Sequence, residues 1–289
     1  MQRYLALQKI VEMGSFSKAA EFLGYTQSGI SQMIASLEKE LSIKLLSRSR
    51  SGAVLTHEGS ELYPYIEQMI YRYFAMEEKA KDIKGLDTGI IRMGAMSSIT
   101  AHWMPSLLKE FNEKYPKVEF VINQGDYSLI QEWIKTGAVD FGFMTPSVAS
   151  GLEITAQKEG ALLAVLPQNH PLAQMDVVPM ELLAKEPYIL VKEGHYHESM
   201  EAFEAIGAVP DVRYTVHDDY AIMTMVEAGL GVSILAGLIL QRTNYNIAIR
   251  PLDPPLKRTL AICYKDKDSL PVASRRFIQL VKRRLDELP

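Results

Sequence analysis

Apolar residues recur at helical spacing through three successive segments at the start of the chain. Leu5, Leu7, Ile10 and Val11 stripe the first, Ala20 and Leu23 the second, and Ile30, Ile34, Leu37 and Leu41 the third. A tight Gly24-Tyr25 connection separates the last two. Ser17 is placed to cap the second helix and Thr26 the third, each hydroxyl accepting from an orphan backbone amide. Small Ala19 and Ala20 let two helices cross closely. The pattern predicts three helices around one small core, leaving Gln27, Ser28, Ser31 and Gln32 together on the solvent side of the third.

Two short apolar runs follow over 43–56, flanking Arg48-Ser49-Arg50-Ser51-Gly52, which predicts a β-hairpin. Leu62, Ile66, Met69, Tyr73, Met76, Ala80 and Ile83 then form a heptad stripe over 57–84. A helix of about 28 residues is about 42 Å long, so the stripe predicts a dimerisation helix, with packing on its own chain as the alternative. Pro64 lies inside it, and Gly85 to Gly89 break the pattern as a hinge.

Beyond residue 89 the texture becomes α/β. Strands are predicted at 90–95, 118–123, 140–144, 162–166, 188–191, 213–216, 232–235 and 260–264. Helices are predicted at 101–114, 129–135, 199–206, 221–227 and 271–288. This alternation implies a largely parallel sheet covered on both faces.

The chemistry of the N-terminal segments points to DNA. Two short helices around a tight turn, the second opening with amide and hydroxyl side chains, form a helix-turn-helix. Gln pairs with the N6/N7 edge of adenine, and Ser hydroxyls serve several bases. Arg48 and Arg50 at the rim of the hairpin suit phosphates or a minor groove, although alone they read equally as a solvated basic turn.

Ser15-Phe16-Ser17, Ala19-Ala20, Leu23, Gln27-Ser28, Ser31, Ile34, Leu37-Glu38, Leu41, Leu45, Arg48, Leu55-Thr56 and Gly59 resemble, in order, the winged helix-turn-helix of LysR-type transcriptional regulators. The sequence departs at Gly29, usually a larger small residue such as Ala, at Ser42, usually Gly, and at Leu46, usually Phe. An interior Gly costs up to about 1 kcal/mol relative to Ala. The resemblance continues through Gly94, Pro105, Phe111, Tyr115-Pro116, Gly137, Asp140, Pro167, His170-Pro171-Leu172, Val226, Gly229-Leu230-Gly231 and Leu235. It implies a linker helix and a periplasmic-binding-protein-like effector domain of two α/β subdomains. The implied organisation is a winged helix-turn-helix at 1–58, a linker helix and hinge at 59–88, and an effector domain at 89–289. Its first subdomain takes 89–160 and 268–289, its second 161–267. The chain would cross near Gly160 and return at 265–268.

Composition modifies this picture little. The 289 residues are 47% hydrophobic with a net charge of −4. Residues 1–58 carry seven Lys/Arg against five acids and the remainder is net acidic, a mild bias toward a nucleic-acid-binding head. A lone cysteine, Cys263, excludes an intrachain disulfide and fits a reducing cytoplasm. No signal peptide or membrane span is expected.

Ser97-Ser98-Ile99-Thr100 follows the first α/β strand and precedes a helix, which suits a carboxylate or other anion. In the resembled family this segment lines the effector cleft. Ser128 heads the next helix from the same side, and Thr145, His195 and Tyr196 are candidates to close the cleft. His195 and His197 lack the carboxylate or thiol companions of a metal site, so no metal or cofactor is expected. Gly229-Leu230-Gly231 lacks the third glycine of a dinucleotide fingerprint and reads as a tight turn. Nothing pairs a nucleophile with a base, so no enzyme is expected.

The sequence therefore reads as a cytoplasmic, DNA-binding transcriptional regulator whose homodimer or homotetramer is biased by a small effector. Its other partners are promoter operator DNA and RNA polymerase. The competing reading is a solute-binding or catalytic α/β protein whose head makes only protein contacts. Salt-sensitive binding to a particular DNA fragment separates the two.

Overall fold

The structure, a computed structural model, describes residues 1–49, 52–83, 89–192 and 194–289. The chain divides into two compact units, Met1–Ala80 and Lys81–Pro289.

In the first unit, α1 (Gln2–Met13), α2 (Phe16–Leu23) and α3 (Gln27–Leu41) precede a hairpin of β1 (Leu46–Ser49) and β2 (Gly52–Leu55), and then α4 (His57–Ile83). The striped residues make the core: Leu7, Ile10, Ala19, Ile30 and Leu37 are fully buried, and Ala20 and Ile34 nearly so. Ser15, not Ser17, caps α2, because the helix starts at Phe16 and the Ser15 hydroxyl accepts from the Lys18 amide at 3.4 Å. Thr26 caps α3 as expected, its hydroxyl accepting from the Gly29 amide at 3.1 Å. Gly29 is thus in the first turn rather than the interior, so the interior-glycine penalty does not apply in full. A Cβ there would stand 3.2 Å from the capping Thr26 oxygen. Ser42 ends α3 in the left-handed region at φ 56°, which explains why glycine suits that position.

Glu38 joins α3 to the hairpin. Its buried carboxylate accepts from the amides of Leu45 at 2.9 Å and Leu46 at 3.2 Å, and pairs with Lys44 at 2.6 Å. Burial pushes this carboxyl up, but the Lys44 bond and the two amides outweigh it and leave it below its ordinary value. Thr56 links the hairpin to α4, donating to the Lys44 carbonyl at 2.6 Å and accepting from the Gly59 amide at 2.9 Å. Gly59 permits this approach: a Cβ would fall 2.2 Å from the Leu45 carbonyl oxygen.

The second unit opens with β3 (Gly89–Ala95), α5 (Ser97–His102), α6 (Met104–Lys114), β4 (Val118–Gln124), α7 (Tyr127–Thr136) and β5 (Phe141–Met144). The single helix expected at 101–114 is two helices that meet at Trp103, where Pro105 cannot donate back to the preceding turn. The long β6 (Glu153–Pro167) carries the chain into a second lobe. This lobe contains β7 (Val178–Pro179), α8 (Met180–Leu183), β8 (Pro187–Val191), α9 (Glu198–Ala205), β9 (Asp211–Val216), α10 (Asp219–Glu227), β10 (Ser233–Ala236), β11 (Ile247–Arg250) and β12 (Leu252–Asp253). The chain returns along β13 (Leu256–Tyr264) and closes with α11 (Val272–Arg284).

One mixed sheet of seven strands runs through both lobes in the order β10-β6-β13-β5-β3-β4, with β11 also on β6. The expected largely parallel sheet is corrected here. β3 pairs in parallel with β4 and β5, but β6 and β13 form a long antiparallel ribbon from Leu256↔Leu162 to Tyr264↔Glu153. This ribbon is the crossover. Outward it passes Gly160, and on the returning strand Arg258 lies opposite. Leu256 packs in the second lobe's core, whereas Leu260 to Tyr264 pack in the first lobe's core with Phe141, Phe143 and Phe277. Asp140 ties the first lobe together, its buried carboxylate accepting from the Arg92 amide at 3.0 Å and the Ser274 hydroxyl at 2.7 Å.

Candidate nucleic-acid interface and effector cleft

On α3, the side opposite Ile30, Ile34 and Leu37 presents Gln27, Ser28 and Gln32 exposed and Ser31 partly buried. The Thr26 and Ser28 hydroxyls are 3.1 Å apart, so Ser28 is steadied by the cap. Arg3 braces the helix from α1, donating to the Ser36 hydroxyl at 3.0 Å and pairing with Glu40 at 2.7 Å. The hairpin is an antiparallel pair in register from Leu46↔Leu55 to Ser49↔Gly52. Arg48 belongs to β1, but its side chain, like the whole of Arg50, lies outside the described residues.

The heptad stripe on α4 is shared between two environments. Ile66 is buried in the unit's own core with Ile70, and Leu62 packs against that core. Ile66 packs within its own unit, because α4 also covers the core of α1–α3. Met69 and Met76 stay exposed at 37% and 60%, with Tyr65 at 69% beside them, while Tyr73 is partly buried and Ala80 exposed. The side chain of Ile83 and the expected hinge at 85–88 lie outside the described residues.

Within the second unit, a cleft of about 300 Å³ opens between the lobes. The first lobe contributes Met96, Ser97, Gln124 and Asp126, and the second Lys192, His217, Asp218 and Asp219. A smaller room of about 30 Å³, enough for one water, shares Met96, Val191 and Asp219 with it. Ser98, Glu198 and Arg258 line this inner room. Arg258 is 6% exposed and donates to the Ser98 hydroxyl at 2.9 Å. Asp219 faces it, and burial first, then Asp218, raises the Asp219 carboxyl to about 6, against the pull of Arg258. Asp126 and Asp218 are helix caps: Asp126 accepts from the Leu129 amide at 2.9 Å, and Asp218 from the amides of Tyr220 at 2.8 Å and Ala221 at 3.3 Å.

Of the seven expected effector residues, the structure brings Ser97 to the outer cleft and Ser98 to the inner room. Both are inside α5 rather than capping it, and the Ser98 oxygen is held by Arg258 instead of facing a free anion site. The Thr100 hydroxyl donates to the Met96 carbonyl within the helix at 3.2 Å, and it lines neither of these two cavities. Thr145, buried at the end of β5, also lines neither.

The structure places Ser128, His195 and Tyr196 at a contact between the lobes. The Ser128 hydroxyl accepts from the His195 amide at 3.2 Å, and the Tyr196 ring lies 6.2 Å from that of Tyr127. Gly194, at φ 87°, makes the approach feasible, since a Cβ there would meet the Ser128 oxygen at 2.3 Å. Next to it the buried Tyr127 hydroxyl donates to Glu198 at 2.8 Å. Sequence reasoning missed Arg258, Glu198, Asp218, Asp219 and Asp126. An Asp just before each of two predicted helices was a readable cap signal for Asp126 and Asp218. Arg258 lies on β13 among alternating apolar residues, and only the fold carries it to the cleft.

The LysR substrate binding domain matches residues 84–286, and the bacterial regulatory helix-turn-helix protein of the lysR family matches residues 1–60. An uncharacterized HTH-type transcriptional regulator of Bacillus subtilis, YvbU, is 31% identical over 277 residues, covering 95% of this chain and 94% of its own. The transcriptional dual regulator GltC of the same organism is 27% identical, over 88% of this chain and 87% of its own. Among solved structures, a full-length OxyR variant from Pseudomonas aeruginosa, with one cysteine replaced by aspartate, superposes with a TM-score of 0.73 at 22% identity, covering 99% of this chain and 93% of that one. Full-length CbnR in complex with its target DNA superposes at 0.68 and 18% identity, covering 98% of each chain. With its helical head and its two-lobed unit each matched over nearly their whole length, the chain belongs to the LysR family of transcriptional regulators and carries that family's substrate-binding domain for a small effector.

Proposed function

We propose that the chain binds operator DNA through Gln27, Ser28, Ser31 and Gln32, with Arg48 and Arg50 on flanking phosphates. The observation that carries this reading is the uncharged amide-and-hydroxyl run at the capped start of α3, exposed while the opposite side of the same helix is fully buried. Exposed Tyr65, Met69 and Met76 on α4 supply the surface on which two copies pair. That pairing sets two recognition helices about one helical turn of DNA apart. The inter-lobe cleft takes the effector. A ligand biases the assembly only through its difference in affinity between two arrangements of the subunits. The protein acts in the cytoplasm, contacts RNA polymerase and catalyses no reaction. No helix among the described residues is long and apolar enough to cross a membrane.

The test is to incubate the purified protein with sheared genomic DNA from its source and sequence the recovered fragments. A few enriched sites with a dyad near one helical turn are expected. Recovery no better than that of a variant lacking residues 46–55, at low and moderate salt, would overturn the reading. Met76→Asp is expected to shift the protein toward monomer in sedimentation, and an unchanged oligomer would remove α4 from the pairing surface.

A further inference from the structure

The serines at the mouth of the cleft suggested an anionic ligand, but the charges that the fold gathers there have the opposite balance. Among the described residues lining the outer cleft, Asp126, Asp218 and Asp219 stand against Lys192 alone. The inner room adds Glu198 against Arg258. Four carboxylates thus oppose two cations around the two rooms.

The two cations are poorly placed to receive a ligand carboxylate. Arg258 is buried behind the Ser98 hydroxyl, in a room large enough for one water. Lys192 is exposed. The α5 helix is only six residues long, and Ser97 and Ser98 are already within it, so its N-terminus makes no separate anion site.

The carboxylates differ in what already occupies them. Asp126 and Asp218 each hold backbone amides as helix caps, and Glu198 accepts from Tyr127. Asp219 follows the cap of α10, and its carboxylate accepts from its own backbone amide rather than from later amides of the helix. It lines both rooms, and its ionised form is costly there: even with Arg258 nearby, burial holds its carboxyl up at about 6. A positive group in the outer cleft would relieve that cost, with the Ser97 hydroxyl and the Gln124 amide oxygen free to accept its N–H groups and Met96 and Leu129 to cover its methylenes.

Resting on the reading of this cleft as the effector site, we propose that the effector is a small organic cation, an amine or guanidine, whose charged nitrogen sits against Asp219 with Asp218 and Asp126 around it. The cleft's volume of about 300 Å³ is at the small end of ligand pockets.

The experiment uses the full chain and measures thermal shift and calorimetric titration with putrescine and agmatine as cationic probes and succinate and glutarate as anionic ones. At pH 7.5 at least one cation is expected to give a saturable shift and both dianions none. Asp219→Asn is expected to weaken that cation at least tenfold, and Lys192→Gln to tighten it about threefold. Lowering the pH from 7.5 to 5.5 should also weaken it, as Asp219 takes up a proton. Lys192→Gln removes an exposed side chain, so its gain of affinity would not follow from damage to the fold. No saturable shift with either cation overturns the proposal. A dianion shift that is lost in Ser97→Phe, which fills the cleft, overturns the charge assignment and leaves the cleft as the site. A cation shift that survives both Asp219→Asn and Ser97→Phe places binding elsewhere and overturns both readings.

Discussion

At the start of α3 the groups offered to a ligand are uncharged, mostly exposed and drawn from one run of six residues, 27–32. In the inter-lobe cleft many are charged, range from exposed Lys192 and Asp218 to buried Glu198 and Arg258, and are drawn from segments as far apart as Ser97 and Arg258. The difference follows from the partner each suits. A DNA groove brings its own field of phosphates, so the reading surface needs hydrogen-bonding shape more than charge, and affinity can come from a separate element such as the hairpin. A small molecule brings nothing but itself, so its pocket must supply the compensating charge, and burial makes each such charge costly until the ligand arrives. The first surface is made by one helix and its cap. The second exists only after two lobes have been assembled around a ribbon.

Breaking the support of the helical head should give the largest effect. Glu38→Ala leaves the Leu45 and Leu46 amides without their acceptor, and a buried unsatisfied pair of this kind costs about 2–4 kcal/mol. Urea unfolding followed on full-length protein should show a destabilised first unit and lost DNA affinity, with ligand-induced shifts of the second unit retained. Because the Glu38 carboxyl is held below its ordinary value, the stabilisation it gives is present at neutral pH and is lost as pH falls through its folded value, below 4.5. An equal loss of cleft binding in this variant would show that the two regions are not separable.

Within the intact head, Gln27→Ala and Arg48→Ala test the division between reading and gripping. Gln27→Ala should remove about 1–3 kcal/mol of discrimination at one base position while leaving affinity for random DNA nearly unchanged. Arg48→Ala should weaken binding to all sequences alike and reduce the salt slope by about one. Competition titrations over a range of salt measure both. If both variants lose equally on specific and random DNA, the separation between the two roles fails.

The matching test on the cleft side is smaller and reads stability. A carboxyl raised to about 6 contributes its penalty as pH rises from the ordinary carboxylate value of 3.8, and in full above 6. Asp219→Asn should therefore raise the melting temperature of the second unit by a few degrees at pH 7.5 and leave it unchanged at pH 4. A variant less stable than the parent at pH 7.5 would mean that Asp219 is compensated in the absence of ligand.

The contrast between the two regions also explains what could be read in advance. The head was legible down to the Thr26 cap, because its contacts are local and periodic: Ile30, Ile34 and Leu37 face inward on one helix. The errors there were small shifts in register, such as Ser15 capping in place of Ser17. In the effector unit, the strands and helices were largely legible, but their pairing was not. The β6–β13 ribbon joins residues about a hundred positions apart, and no local pattern fixes whether such strands run parallel or antiparallel. The cleft inherits that difficulty. Ser97 and Ser98 were visible from their place after β3, whereas Arg258 reaches Ser98 only because its strand returns opposite Gly160. For the same reason no local pattern shows that the Ser128 hydroxyl accepts from the His195 amide, 67 positions away.

The smallest effect is expected at Cys263, and it sharpens the contrast between buried charge in the cleft and buried neutrality in the core. Cys263 is fully buried on β13, in register with Gly142 of β5 and Ile154 of β6. Burial pushes its thiol up to about 12, so at neutral pH almost none is present as the reactive thiolate. A single cysteine also gives this chain no second thiol with which to form an intrachain disulfide. Millimolar hydrogen peroxide should leave DNA affinity unchanged in the parent, and Cys263→Ala should behave identically with and without it. The substitution itself should cost no more than about 1 kcal/mol, the loss of one small buried group. Exposed Met69 and Met76 are oxidisable too, so the decisive comparison is parent against Cys263→Ala. A peroxide response that disappears in Cys263→Ala would mean that the core opens far enough to ionise this thiol. The second unit would then sense through its core as well as its cleft.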